Sequence, residues 1–145
     1  MCGIIAYKGK REDAAAIVLK GLKKLEYRGY DSWGVAAKLE SGDFFIHKKI
    51  GKIGELKIGD LDLPKSNLAM AHSRWATHGG VTEKNAHPHV SCDNRIVIIH
   101  NGIVENYLEL KKKLRAKGHK FYSETDTEVA AHLIEDYVNK YKGKN

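Results

Sequence analysis

The sequence predicts an α+β fold in a single domain, and three observations carry that prediction. The apolar runs, Ile4-Ile5-Ala6 and Ile96-Val97-Ile98-Ile99 among them, are strand-sized. Other stretches place apolar residues at helical spacing, as at Ala14, Val18, Leu22 and Leu25. The two kinds of segment interleave without the regular alternation of a parallel α/β sheet. At 145 residues, 42% hydrophobic and 30% charged, the chain suits one soluble domain with a core of its own.

Each element has its own local reason. Residues 3–7 form an apolar run, expected as a buried strand with Cys2 at its very start. Asp13 stands as the N-cap of a helix whose stripe is Ala14, Val18, Leu22 and Leu25, widened by Ile17. Gly29, after Tyr27-Arg28, is expected to stop that helix in the left-handed region. Residues 35–39 and 44–50 pattern as strands joined by the hairpin Glu40-Ser41-Gly42-Asp43. Glycines at 51, 54 and 59 make 51–63 a connector with one helical turn at most. Residues 67–73 are a further strand, and 74–92, polar and rich in Gly and His, are expected as a long functional loop.

Residues 95–100 read as a second buried strand between the turn-prone pairs Asp93-Asn94 and Asn101-Gly102. Residues 105–117 form a charged helix with Leu108, Leu110 and Leu114 inward, stopped at Gly118, and 120–122 a short strand. Thr125 and Glu128 make a capping box. The helix behind it carries Val129, Leu133, Ile134, Tyr137, Val138 and Tyr141 on one face.

Composition narrows the function. The net charge of +7 has its densest cluster at Lys111-Lys112-Lys113 with Arg115, Lys117 and Lys120, near Phe121 and Tyr122. Most of these are lysines on polar helix faces, so a solvated surface is favoured over nucleic-acid binding. No apolar run is long enough to span a membrane, and no signal-peptide pattern is visible. Two cysteines, Cys2 and Cys92, make no disulfide framework, which points to the reducing cytosol.

Several residues carry chemistry. Removal of Met1 would leave Cys2 with a thiol and a free α-amine on one carbon, a nucleophile with its own base. That amine has a reference pKa of about 7.7–8.0, so a fraction is unprotonated at neutral pH. Arg74, opening Arg74-Trp75-Ala76-Thr77-His78-Gly79, offers a planar fork for a carboxylate; a surface Arg beside a packed Trp is the equal alternative. Asn101-Gly102 supplies a side-chain amide beside an unencumbered N–H, the donor pair of an oxyanion hole, or else an ordinary turn. Asp126 could pair with a substrate ammonium or merely complement a helix dipole. Tyr27-Arg28-Gly29-Tyr30-Asp31-Ser32 is either a structural turn or a loop roofing a polar pocket. A zinc site from His78, His87, His89 and Cys92 matches no compact spacing, so no metal and no cofactor are expected.

Six motifs in order, Met1-Cys2-Gly3-Ile4, Leu25 through Ser32, Arg74 through Gly79, Asn85-Ala86-His87-Pro88-His89, His100-Asn101-Gly102 and Thr125-Asp126-Thr127-Glu128, resemble one family. It is the N-terminal glutaminase domain, class II, of the isomerising glutamine–fructose-6-phosphate aminotransferases. The second and third motifs separate it from amidophosphoribosyltransferases, asparagine synthetases and glutamate synthases, which share the Cys-Gly-Ile start. The resemblance covers residues 1–145.

It implies an N-terminal-nucleophile hydrolase-like four-layer α/β/β/α sandwich of antiparallel sheets. It also implies roles: Cys2 the nucleophile, with its amine as base, and Asn101 and Gly102 the oxyanion donors. Arg74 would hold the α-carboxylate of L-glutamine and Asp126 its ammonium. Trp75, Thr77, His78 and Gly79 would line the pocket, with Arg28 and His87 supporting closure. Fructose 6-phosphate would enter only through isomerase domains that this stretch lacks. The family is homodimeric, and a monomeric state of this stretch alone is left open. The family's domain continues past the last helix, so an incomplete domain with some unpaired sheet edges is expected. Trp33 departs from the small residue usual before Gly34, which puts the shape of that loop in question.

Overall fold

The alternation along Leu68–Arg74 decides the architecture. In the computed structural model, which describes residues 2–77 and 79–142, this segment is β4 and pairs on both sides. Its partners are β1 (Gly3–Lys8) and β2 (Ser32–Lys38), and β3 (Phe44–Ile50) completes an antiparallel sheet ordered β1-β4-β2-β3. With a two-residue period, Ala69 and Ala71 face one side while Met70, His72 and Arg74 face the other. The alanine side meets helix α1 (Ala14–Lys23), where Val18, Leu19 and Leu22 pack with Trp33, Val35 and Ala37 of β2. Burying each of these large apolar side chains is worth about 1.5–3 kcal/mol relative to exposure.

The polar side is covered by a second, two-stranded antiparallel sheet, β5 (His89–Val90) with β6 (Val97–Ile98). Gly34 marks how closely the layers approach, since a Cβ there would clash with the His87 carbonyl oxygen. Helix α3 (Thr127–Tyr141) packs on β5 and β6, and α2 (Tyr107–Ala116) packs on α3. The layers therefore run helix, sheet, sheet, helix, an α+β sandwich. Among the described residues no helix is long and apolar enough to cross a membrane.

Several local expectations are corrected. Asp13 occupies the N-cap position, but Arg11 takes its carboxylate (Nη2–Oδ2 2.6 Å), and no side-chain cap bond forms. Gly29 is extended rather than left-handed. Its smallness serves a close approach: a Cβ would lie 2.8–3.0 Å from backbone atoms of Ser73, Arg74 and Trp75. Trp33 is in β2 rather than a loop, buried under α1. The 51–63 connector holds two single 3-10 turns, Ile53–Glu55 and Ile58–Asp60. The long polar loop is interrupted by β5, and residues 120–122 form no strand. Thr125 does not close the expected capping box, because its hydroxyl bonds His89 Nε2 at 2.8 Å. Glu128 instead accepts from the N–H groups of Tyr122 and Ser123, both at 2.8 Å.

The largest corrections concern helix faces. Leu114 of α2 is buried as expected, but Leu108 is exposed. On α3 the face turned inward carries Glu128, Val129, Ala131, His132 and Glu135, whereas Ile134, Tyr137, Val138 and Tyr141 are exposed. Paired, hydrogen-bonded polar groups fill the contact with β5 and the following turn, which inverts the simple apolar-inward rule.

Candidate active site

The register of β1 on β4 builds the site. Gly3 lies opposite Ser73 and donates its N–H to Ser73 Oγ at 3.2 Å. Cys2 is thereby set beside the end of β4, where the Trp75 N–H donates to Cys2 Sγ at 3.2 Å and the thiol reaches the Trp75 carbonyl at 3.7 Å. The Cys2 carbonyl accepts from Asn101 Nδ2 at 3.0 Å and from Arg28 Nε at 3.3 Å. Three segments distant in sequence, at Arg28, Ser73–Trp75 and Asn101, thus converge on the start of β1.

Cys2 opens onto a cleft of about 490 Å³. Of the residues singled out in the sequence, Arg28, Arg74, Trp75, Thr77, His87, Asn101, Gly102 and Asp126 also line it. Gly79 does not; its φ is +74° and its carbonyl accepts from Arg74 Nη2 at 3.3 Å. His78 and Met1 lie outside the described residues. His87 is buried, its ring stacked on His72 with centroids 4.2 Å apart.

Arg74, only 4% exposed, bonds the carbonyl of Gly80 at 3.0 Å as well as that of Gly79, so the end of β4 clamps the loop that follows it. Burial lowers its pKa, opposed by the nearby Cys2, Asp31 and Asp126. Asp126 is buried and accepts the Val104 N–H through Oδ2 at 2.6 Å. Asp31 accepts from the Ala76 N–H at 2.8 Å and so ties the Tyr-Arg-Gly-Tyr-Asp-Ser turn to the Arg-Trp-Ala-Thr loop. Asn85, fully buried, bonds the Gly80 carbonyl at 3.0 Å and the Glu124 N–H at 2.9 Å, linking that loop to the segment ahead of Asp126.

The structure adds residues that sequence reasoning missed. His72 Nε2 meets Asn101 Oδ1 at 2.9 Å, which turns the amide nitrogen of Asn101 toward Cys2. His100, Ile103, Thr125 and Thr127 complete the lining. The signal for His72 was present in the alternation of β4, which puts it on the same face as Arg74. Burial, relieved only in part by Asn101, pushes the His72 pKa down to about 4. His89 is pushed down to about 3, first by burial and then by Lys48. His87 is pushed lower still, by burial and by its neighbouring imidazoles. These rings are neutral at pH 7, so they act as hydrogen-bonding and packing groups. A soft nucleophile faces amide donors at one end of the cleft, with a guanidinium and a carboxylate along it. That is an arrangement for acyl transfer on a zwitterionic substrate.

Comparison with known proteins agrees. Residues 62–143 match the family model described as a glutamine amidotransferase domain. The chain is 55% identical to the glutamine–fructose-6-phosphate aminotransferase (isomerizing) of Pyrococcus horikoshii over 94% of its own length and 23% of that protein's. It is 52% identical to the enzyme of that name in Methanococcus maripaludis, over 98% of its own length and 23% of the relative's. The chain therefore spans about a quarter of the length of these relatives. Among solved structures it superposes on the glutamine phosphoribosylpyrophosphate amidotransferase of B. subtilis, determined with ADP and GMP. The TM-score is 0.74 at 31% identity, over 93% of this chain and 29% of that one.

Proposed function

Since the chain belongs to the glutamine amidotransferase domain family, we propose that residues 1–145 act as a glutaminase unit, hydrolysing L-glutamine to glutamate and ammonia through a thioester on Cys2. The observation that carries this reading is the meeting of Cys2 and Asn101 across 99 residues of sequence, at the mouth of a cleft that also holds Arg74 and Asp126.

Loss of Met1 frees the α-amine of Cys2, which takes the thiol proton directly or through one water. The thiolate adds to the side-chain amide carbon of glutamine, and the carbonyl oxygen becomes an oxyanion. Asn101 Nδ2 and the Gly102 N–H are the donors suited to that oxygen. Collapse expels ammonia, which leaves with a proton returned by the amine, and a γ-glutamyl thioester remains. Water, deprotonated by the same amine, attacks the thioester and releases glutamate and the thiol.

Arg74 and Asp126 oppose the α-carboxylate and α-ammonium of the substrate. Trp75 and Thr77 wall the cleft, and the Gly79 carbonyl accepts from Arg74. Arg28 holds Cys2 by its carbonyl, and His87 supports His72 from below. The name shared by the archaeal relatives supports a sugar phosphate, fructose 6-phosphate, as the acceptor of the ammonia. That step would use the parts of those proteins lying outside the quarter this chain matches.

Glutamate release by wild type and Cys2→Ala, with circular dichroism as the fold control, tests the proposal. The variant is expected to retain its fold and lose all measurable turnover. Equal release from both proteins removes Cys2 from the chemistry. Intact-mass spectrometry after a glutamine-like electrophile should show one adduct on a chain lacking Met1.

A further inference from the structure

Cys92, His119, His132 and Glu135 converge although none of them lines the cleft. They come from three segments: the turn between β5 and β6, the stretch just after α2, and one inward-facing turn of α3. Cys92 Sγ lies 3.5 Å from His132 Nδ1 and 3.9 Å from His119 Nδ1. Glu135 Oε2 lies 3.0 Å from His119 Nδ1 and 3.5 Å from His132 Nδ1. All four donor atoms fall within 4.8 Å of one another. A tetrahedral zinc ion with bonds of about 2.0–2.3 Å needs ligand atoms about 3.3–3.6 Å apart.

We propose that Cys92, His119, His132 and Glu135 bind one zinc ion as a structural site. One thiolate, two imidazole nitrogens and one carboxylate oxygen suit a borderline-soft divalent ion, whereas Ca²⁺ and Mg²⁺ favour all-oxygen shells. The groups behind the ligands are those a metal site uses. The Lys120 N–H donates to Cys92 Sγ at 3.4 Å, and the N–H groups of Cys92 and Asp93 hold the two Glu135 oxygens at 3.1 and 2.8 Å. Each imidazole turns its other nitrogen toward a carboxylate: His132 Nε2 toward Glu128 at 3.7 Å and His119 Nε2 toward Asp136 at 3.9 Å. A zinc ion on Nδ1 fixes the proton on Nε2 in both rings, facing those acids. His132 Nε2, buried and without a hydrogen-bond partner at standard geometry, gains a defined role.

Four protein ligands leave no open position, so the ion would be structural. It would pin the stretch from His119 toward Thr125 and Asp126 onto the second sheet, and with it one wall of the cleft. The proposal revises the metal-free expectation drawn from the sequence. There Cys92 was grouped with His78, His87 and His89; here the His87 ring stacks on His72 and the His89 ring packs edge-on against His87.

The rival is a metal-free hydrogen-bonded cluster, and metal content separates the two. Wild type, Cys2→Ala, Cys92→Ser and His119→Ala are expressed with added zinc, dialysed without strong chelator and assayed by inductively coupled plasma mass spectrometry. Circular dichroism checks each fold. About one zinc per chain is expected for wild type and Cys2→Ala, with zinc content well below one per chain in the other two, since each lacks one of the four ligands. Cobalt exchanged into wild type should give a thiolate charge-transfer band that disappears in Cys92→Ser and persists in Cys2→Ala. The proposal is overturned by metal-free wild type, by equal zinc in Cys92→Ser and His119→Ala, or by a cobalt band that depends on Cys2. Cys92 is exposed, and neither it nor His119, which follows α2, belongs to the apolar core under α1. Should one misfold, the other decides.

Discussion

His72 is buried, lines the cleft and reaches Cys2 through Asn101. It bonds Asn101 Oδ1, and Asn101 Nδ2 then faces Cys2. His72→Ala is expected to lower kcat by on the order of tenfold while leaving KM nearly unchanged. The loss should be smaller than the 10²–10³-fold typical of removing an oxyanion donor outright. His72→Gln, which keeps a donor, should recover part of the loss. A KM rise with kcat intact would instead make His72 a general packing residue. Cys2, Arg74, Asn101 and Asp126 were legible as candidates because their chemistry belongs to their side chains. His72 was not singled out, because the alternation of β4 gives its face but not its partner, Asn101, 29 residues away.

At the scale of elements, the Tyr-Arg-Gly-Tyr-Asp-Ser turn and the end of β4 form one unit. Gly29 lies against the backbone of Arg74 and Trp75, and Trp75 donates the N–H that Cys2 Sγ accepts. Gly29→Ala should therefore cost about 1–3 kcal/mol of stability, the usual range for overpacking. It should also depress glutamine turnover by displacing that N–H. Urea unfolding and steady-state kinetics on the same sample check both effects. A stable, fully active variant would mean that the backbone yields without disturbing Cys2. Elements with strong periodicity, such as α1 and β4, were readable, since burial on one face imposes the pattern. β5 was not, because a two-residue strand carries no period. The inward face of α3 was misjudged because Glu128, His132 and Glu135, bonded to segments outside the helix, interrupt the apolar stripe.

Across the whole molecule, the interface between the sheets stores neutral imidazoles. His72 and His89 titrate near 4 and 3 in the folded chain, against 6.5 when exposed, with Arg74 and Lys48 adding to the effect of burial. Above pH 6.5 both states are neutral and these residues add nothing to the pH dependence. Below it, the unfolded chain binds protons that the folded chain refuses, so stability falls as pH drops from 6.5 through 4 toward 3. Each ring contributes a slope of up to about 1.4 kcal/mol per pH unit within that window. The urea midpoint should be lower at pH 5 than at pH 7, and His72→Phe should flatten the difference. Identical midpoints would show that the rings are accessible to protons in the folded state.

The sequence by itself determined the α+β class, the nucleophile candidate and the order of motifs around it. Those are properties of local pattern and of side-chain chemistry. Only the tertiary structure decided which residues meet: Asn101 on Cys2, His72 on Asn101, and Cys92 with His119, His132 and Glu135. Such meetings depend on strand register and on the depth at which two sheets pack. A Cys at position two is an ordinary small side chain until the pairing of Gly3 with Ser73 sets it beside Trp75 and beneath Asn101.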